Sequence, residues 1–231
     1  MSEYELKSDA HVGVTPAGAY YACASRAPSP ARNLLFALMT QEITPTLTLE
    51  KVCEWSGATS NEEASELLYR MQSVGWIRGM RAARTAPAAH MEKDMPALLK
   101  DLSAEGRALL ADAQGFFLAA NGFNHETSEA LGALAADVGV VVTRHDGLVR
   151  GNLGVDSAAW SVVDAGGHSR IGFWPLYIGK HHFLLVISGE PHFHRSAFLN
   201  LVWSLSRRYA GDGSHSHRSL AGTGPGSFKT T

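Results

Sequence analysis

The segment "LLADAQGFFLAANG", from Leu109 to Gly122, decides the fold of the chain. It contains two apolar runs that meet at a short stretch around residues 113–115. Two apolar runs joined by a few residues that include glycine are typical of a β-hairpin. The segment therefore predicts two antiparallel strands joined by a tight turn, which carries Asp112 and Gly115.

The residues on either side of this hairpin extend the pattern into a larger unit. A short helix starts before it, and Asn124 is suited to cap a long helix after it, with Glu126 in the first turn. Three apolar strands and a last helix follow, over residues 157–167, 169–179, 181–188 and 196–209. The order α-β-β-α-β-β-β-α over residues 95–210 predicts a five-stranded antiparallel sheet with helices packed on it.

Residues 30–90 have a different pattern. Apolar spacing predicts a helix over residues 31–40, and Thr48 is suited to cap a second helix that ends before Gly57. Ser60, followed three residues later by Glu63, forms a capping box at the start of a third helix. A strand over residues 75–80 and a loop over residues 81–90 complete a winged-helix-like unit. The predicted fold class is therefore α+β.

The two ends of the chain lack a sustained hydrophobic period. Residues 1–29 are rich in Ala, Ser, Gly and Pro, and residues 211–231 are rich in Gly, Ser and Thr. Such compositions are typical of disordered segments. We therefore expect a disordered arm before residue 30 and a disordered tail after residue 210.

The order of elements in residues 95–210 resembles the roadblock (dynein-light-chain-like) family. The hairpin "LLADAQGFFLAANG", with Asp112 and Gly115 in its turn, matches the family's hallmark. The long middle helix and the strand-turn-strand-strand-helix finish match as well. Pro175 departs from the pattern, because a proline inside a strand lacks a ladder donor and implies a sheet edge or a bulge.

The resemblance implies a protein that is not an enzyme. Roadblock proteins form homodimers or heterodimers in which the sheets join across a two-fold axis and the middle helices pack together. They typically act as regulators or scaffolds for small Ras-like GTPases, in bacteria within polarity, motility and signalling systems. The resemblance therefore implies a dimeric adaptor with a protein partner of that class and without a cofactor.

A candidate dimer surface follows from the apolar residues of two segments. The strand "AAWSVV" places Trp160 and Val162 on the same face of the sheet. We expect that a single protomer leaves part of that face uncovered. Exposed apolar surface of this kind normally marks association. The middle helix contributes Leu131, Leu134 and Val138 to the predicted surface.

The stretch "GKHHFLLVISGEPHFH", from Gly179 to His194, raises the alternative of a metal enzyme. His192 and His194 would face the same side of a strand, with His181 as a third ligand. However, His181 and His182 are adjacent and face opposite sides, and polar residues are expected at strand ends. We interpret these histidines as structural and predict no metal ligand, although their titration near neutral pH is suited to tuning an interface.

Other catalytic signatures are missing from the sequence. It has no G-x-S-x-G elbow, and the glycine-rich "GNLGVDSA" lacks the Lys-Ser/Thr of a phosphate-binding loop. We therefore predict no catalytic residue, and we predict that the protein is not an enzyme.

A second alternative is a DNA-binding transcriptional regulator, in which residues 95–210 serve for dimerisation or sensing. Residues 30–90 carry six basic and six acidic residues, and the third helix begins with acidic residues that repel phosphates. DNA is therefore a disfavoured partner, and docking to protein is the preferred role. The candidate contacts to a partner or to nucleic acid are the wing arginines Arg78, Arg81 and Arg84.

The net charge, the lengths of the apolar runs and the cysteine count exclude several classes of protein. The formal net charge of −2 gives no strong attraction to nucleic acid or anionic lipid. No apolar run is long enough to span a bilayer, and the start of the chain lacks the apolar region of a secretory signal. Two cysteines, Cys23 and Cys53, give no disulfide framework. We therefore expect a cytoplasmic protein.

Overall fold

The structure, a computed structural model, describes residues 9–87, 91–155 and 157–210, apart from the side chains of residues 91 and 92. The predicted tail over 211–231 lies outside these residues. The strands are β1 (His11–Val14), β2 (Ile77–Met80), β3 (Ala108–Asp112), β4 (Phe117–Asn121), β5 (Trp160–Val163), β6 (Ser169–Ile178) and β7 (His181–Ser188). The helices are α1 (Pro16–Cys23), α2 (Pro30–Thr40), α3 (Leu49–Ser56), α4 (Asn61–Ser73), α5 (Met91–Asp101), α6 (His125–Asp146) and α7 (Ser196–Tyr209). A π-helical turn, Gly147–Asn152, follows α6 directly.

The main sheet is antiparallel throughout, and its described strands have the order β4-β3-β7-β6-β5. The predicted hairpin is confirmed as β3 and β4. In its turn, the carboxylate of Asp112 accepts hydrogen bonds from the backbone N–H groups of Gln114 (2.9 Å) and Phe116 (3.0 Å). Gly115 has a φ of +93°, a conformation that a side chain would strain. The five-stranded antiparallel sheet that the sequence predicts is therefore confirmed.

Each face of the sheet is covered by helices. The strand residues alternate between two apolar clusters, so that Leu110 belongs to the larger cluster and Leu109 to the smaller one. Helices α5 and α7 belong to the larger cluster, while α6 packs over β3, β4 and β7 on the opposite face. Helix α5 begins at Met91, before the predicted boundary of this unit at residue 95, and contains Pro96.

Helix α7 is buried on most of its circumference. Its apolar residues, among them Phe198 and Trp203, are buried. One side of α7 faces the sheet, and the other side contacts α1 and α2. A helix that is apolar on most sides requires neighbours on most sides. The helix therefore joins the N-terminal elements to the sheet in one continuous apolar cluster.

Helix α6 approaches the sheet through small residues. The buried positions along it are Ser128, Gly132, Ala135, Gly139 and Val142. A Cβ atom on Gly132 would lie 2.3 Å from the carbonyl oxygen of Gly115 in the hairpin turn. The missing side chain therefore lets the helix backbone contact the turn directly.

The three helices predicted in residues 30–90 are confirmed as α2, α3 and α4. The side chains of Thr48 and Ser60 accept hydrogen bonds from the N–H groups of Lys51 (3.4 Å) and Glu63 (3.2 Å), as N-caps do. The Glu63 carboxylate completes the box through the N–H of Thr59 (2.8 Å) rather than that of the cap residue.

The prediction of a disordered arm over residues 1–29 is wrong for residues 9–29, whereas residues 1–8 lie outside the described range. Strand β1 pairs with β2, and Thr15 caps α1 by accepting a hydrogen bond from Gly18 N–H (3.1 Å). A Cβ on Gly18 would lie 2.2 Å from the carbonyl oxygen of Trp76. The composition misled the prediction because alanine and glycine serve here for close packing rather than for flexibility.

Pro175 lies where β6 has a partner on only one side. Strand β5 pairs with residues 169–173, whereas β7 pairs with β6 as far as Ile178. A proline is tolerated there because one side of the strand needs no donor. The sheet edge that Pro175 predicts is therefore present at this position.

Candidate interaction surface

Strand β5 is an exposed edge of the sheet. Its hydrogen-bonded neighbour is β6, and all four of its residues are exposed. Val162 and Val163 expose 55% and 54% of their surface, and Trp160 exposes 39%. An edge strand with apolar side chains presents unpaired N–H and C=O groups to another chain. Strand β5 therefore has the chemistry of an association site.

The exposed residues of β5 continue an apolar face of the sheet. Trp160 pairs with Phe173 and Val162 pairs with Ile171, and directly paired residues lie on the same face. Phe173, only 2% exposed, belongs to the smaller apolar cluster beneath α6. Since α6 packs mainly on β3, β4 and β7, the apolar face extends past the helix onto β5.

Exposed apolar residues also occur on helix α6 and on the π-helical turn. Leu134 is exposed as predicted, whereas Leu131 and Val138 are partly buried and pack against the smaller cluster. Leu131 and Val138 therefore offer a partner only part of their area, and the dimer surface itself stays a prediction. The sequence reasoning missed the exposed apolar residues Val140, Leu148, Leu153, Val155 and Val163.

The sequence gives little indication that these aliphatic residues are exposed. Residues 147–155 lack a clear hydrophobic period, although they contain several aliphatic side chains. An aliphatic residue without a periodic neighbourhood does not show whether it is buried. We define the β5–α6 surface as Leu134, Val140, Trp160, Val162 and Val163.

The turn after β5 is polar and well ordered. The carboxylate of Asp164 accepts hydrogen bonds from the N–H groups of Gly166 (2.9 Å) and His168 (3.1 Å). The bond from His168 is the main reason that the pKa of Asp164 lies below its usual value. This turn fixes the β5–β6 hairpin at one end of the β5–α6 surface.

The wing arginines differ in their surroundings. Arg78 and Arg81 are exposed. Arg84 is half-buried, because its guanidinium donates a hydrogen bond to the side-chain oxygen of Asn200 (2.6 Å) and lies over the ring of Trp203. Arg84 therefore holds the loop against α7, and its contact with a partner stays a prediction.

The exposed surface of α4 is acidic. Glu62, Glu63 and Glu66 are exposed, and Arg70 forms an ion pair with Glu66. Backbone N–H groups lower the pKa values of both carboxyls, that of Glu62 through its own N–H and that of Glu63 through the N–H of Thr59, so both are charged at neutral pH. A recognition helix with this charge would repel DNA phosphates.

The four histidines of the Gly179–His194 stretch do not assemble a metal site. Among the described residues, no group of three or more metal-ligating side chains is close enough to hold an ion. His182 stacks on the ring of Tyr177 with their centroids 4.9 Å apart, and the rings of His192 and His194 lie 5.7 Å apart. Burial, with a smaller effect from Arg26, lowers the pKa of His182 to about 4. His182 is therefore neutral near pH 7.

Neither cysteine is placed as an activated nucleophile. Burial raises the pKa of the Cys23 thiol to about 12. Cys53 is half-buried and donates a hydrogen bond to the carbonyl of Ser60 (3.4 Å). Within the described ranges, no helix combines the length and the apolarity needed to cross a membrane.

No family model matches the chain, and no curated protein or solved structure matches it either. The structural class is α+β, with the five-stranded sheet and the smaller β1–β2 sheet in the described residues. The chemistry of the protein's surfaces is therefore what bears on its function.

Proposed function

We propose that the protein is a non-enzymatic adaptor that forms a homodimer through the β5–α6 surface. The observation that supports it most is the exposure of all four residues of edge strand β5. A two-fold axis beside β5 would pair this strand with its copy and bring together two identical apolar patches. Water would then be removed from the apolar face that α6 leaves open.

The physical requirement for such a dimer is modest. Stable interfaces bury about 1,200–2,000 Å² in total, which is roughly 800 Å² from each partner. The apolar side chains of β5 and the exposed side of α6 provide the kind of surface that this requires. Pairing of the edges would also satisfy backbone groups that otherwise remain open to non-specific association.

The test is the molar mass in solution at micromolar concentration, measured by light scattering after size exclusion. We expect a dimer for the native chain and a monomer for Val162→Lys, since lysine on an edge strand opposes pairing. Ile43→Lys is the matched control, because Ile43 is an aliphatic residue that is 50% exposed on the N-terminal unit. A monomeric native chain, or equal effects of both variants, would contradict the proposal.

The partner class that we propose is a small Ras-like GTPase. This step is supported by the resemblance of residues 95–210 to the roadblock family. The test uses a purified small Ras-like GTPase, loaded with GDP or with a non-hydrolysable GTP analogue, in interferometry against the immobilised dimer. We expect saturable binding that depends on the nucleotide state. Absence of binding in both states would reject this partner class and leave the dimer intact.

The alternative of a transcriptional regulator has weaker physical support. The acidic surface of α4 and the anchored Arg84 leave Arg78 and Arg81 as the basic contacts of the wing. A gel shift on genomic fragments tests it: DNA binding that weakens with salt and is lost in Arg78→Glu combined with Arg81→Glu would favour the regulator.

A further inference from the structure

A cleft lies between the N-terminal unit and the middle of β6. Its larger cavity, of about 600 Å³, lies between α1 and the segment Trp174–Pro175. A second cavity of about 310 Å³ adjoins it and shares Ser25 and Arg150 in its wall. Sites for small molecules commonly have volumes of about 300–1,000 Å³ and lie between structural units. The size and position of the cleft therefore suit a small ligand.

The charge of the cleft is positive. Arg32 and Arg150 line the larger cavity, and Arg26 lines the smaller one. Asp146 is the one carboxylate among the described residues that line them, and it accepts a hydrogen bond from Arg150 Nε (2.8 Å). Arg26 and Arg32 have no ion-pair partner in the part of the chain that the structure describes. An anion in the cleft would therefore meet guanidinium charge that no described carboxylate neutralises.

The arginines are held in place by other groups. Arg32 Nε donates to the carbonyls of Tyr21 (3.3 Å) and Ala22 (3.1 Å), and the guanidinium lies 4.6 Å from the centre of the Tyr21 ring. The Nη2 group of Arg32 has no acceptor among the described residues. Arg26 lies over the ring of Tyr177 at 4.8 Å. Guanidinium groups fixed in this way are suited to binding phosphate. Their remaining N–H groups can donate to phosphate oxygens, and little side-chain entropy is lost because the side chains are already held in place.

Four aromatic side chains form part of the wall, beside small residues such as alanine and serine. Tyr21 and Trp76 stack with their centroids 3.7 Å apart, and Trp174 packs edge-on against Phe193. Tyr20, Tyr21, Trp76 and Trp174 all line the larger cavity and are half-buried. A planar ring gains from contact with such rings, whereas an inorganic anion does not.

Arg150 reaches the cleft from the π-helical turn. This geometry is rare in proteins and frequently occurs at functional sites. We propose that the cleft binds a nucleotide, with the phosphates at Arg26, Arg32 and Arg150 and the planar base against the aromatic wall. The site does not require the dimer or the GTPase partner.

The test is calorimetric titration of the full chain with ATP and with GTP. Inorganic triphosphate and the two nucleosides serve as separate probes of the charge and of the ring. We expect one site per chain for at least one nucleotide, and binding at least tenfold weaker for inorganic triphosphate and for the nucleosides. Arg26→Gln should weaken nucleotide binding about tenfold, as expected for loss of a charged hydrogen-bond donor.

Arg81→Gln is the matched control, because Arg81 is an exposed arginine outside the cleft. Arg26 is exposed, and its described contact is the ring of Tyr177, so its replacement should leave the thermal unfolding midpoint nearly unchanged. The proposal is overturned if no nucleotide binds at about 1 mM, which corresponds to a binding free energy near −4 kcal/mol. It is also overturned if inorganic triphosphate binds as tightly as the nucleotides, if Arg26→Gln has no effect, or if both variants weaken binding equally.

Discussion

The contact between α6 and the hairpin turn leads to a sharp prediction about Gly132. Replacing it with alanine places a Cβ atom 2.3 Å from the carbonyl oxygen of Gly115. An unstrained carbon–oxygen contact is about 3.3 Å or longer, so the helix and the turn must separate by about 1 Å. The three nearest atoms, in Gly115 and Phe117, belong to the backbone and cannot move aside by a change of rotamer.

The magnitude follows from two opposing effects. Forcing an extra carbon into a close-packed contact costs about 1–3 kcal/mol, and a backbone clash lies at the upper end. Alanine in a helix interior recovers about 1 kcal/mol relative to glycine. We therefore expect Gly132→Ala to lower the free energy of unfolding by about 2 kcal/mol.

Gly147→Ala is the matched control at the end of the same helix. Gly147 has a φ of −63°, and a Cβ there meets no heavy atom of the described residues within 4 Å. This variant should raise the free energy of unfolding by about 0.5–1 kcal/mol. Urea denaturation followed by far-UV circular dichroism measures both changes, provided that the m-value stays constant. Equal stabilisation by both variants would refute the close approach of α6 to the turn.

Three further predictions concern single side chains. Burial lowers the pKa of His182 to about 4, so the unfolded chain binds a proton below about pH 6.5 that the native protein does not. Stability should therefore fall between pH 6.5 and pH 4, and urea midpoints at pH 7 and pH 5 should show a smaller loss in His182→Phe. Because burial raises the pKa of Cys23 to about 12, a thiol reagent should modify Cys53 alone in the native protein and both cysteines after denaturation, as mass spectrometry will show. Asn124→Ala removes the cap that accepts a hydrogen bond from Thr127 N–H (2.8 Å), and should lower the unfolding free energy by about 1 kcal/mol in the same urea assay.

Several features were predictable because they depend on neighbours in the chain. The hairpin follows from two apolar runs and a turn in which Asp112 bonds to nearby N–H groups. The caps at Thr48, Ser60 and Asn124 act within three residues of themselves. Such signals need no knowledge of distant residues, and the structure confirms them.

The errors have a common physical origin. Residues 9–29 have the composition of a flexible arm, yet β1 needs β2 and α1 needs the carbonyl of Trp76, more than fifty residues away along the chain. Likewise, the sequence did not show that Arg84 bonds to Asn200, which lies 116 positions further along the chain. Amino-acid composition does not indicate contacts between residues that are far apart in the sequence.

By itself, the sequence determined the type and order of most strands and helices, since hydrophobic period and capping are local properties. Tertiary structure alone decided which apolar residues remain exposed, because burial depends on where α6 ends over the sheet. It also decided which arginines share the cleft: Arg26, Arg32 and Arg150 are brought together by the packing of α1 against α7 and β6. Proximity between residues so far apart in sequence is a property of the packed core.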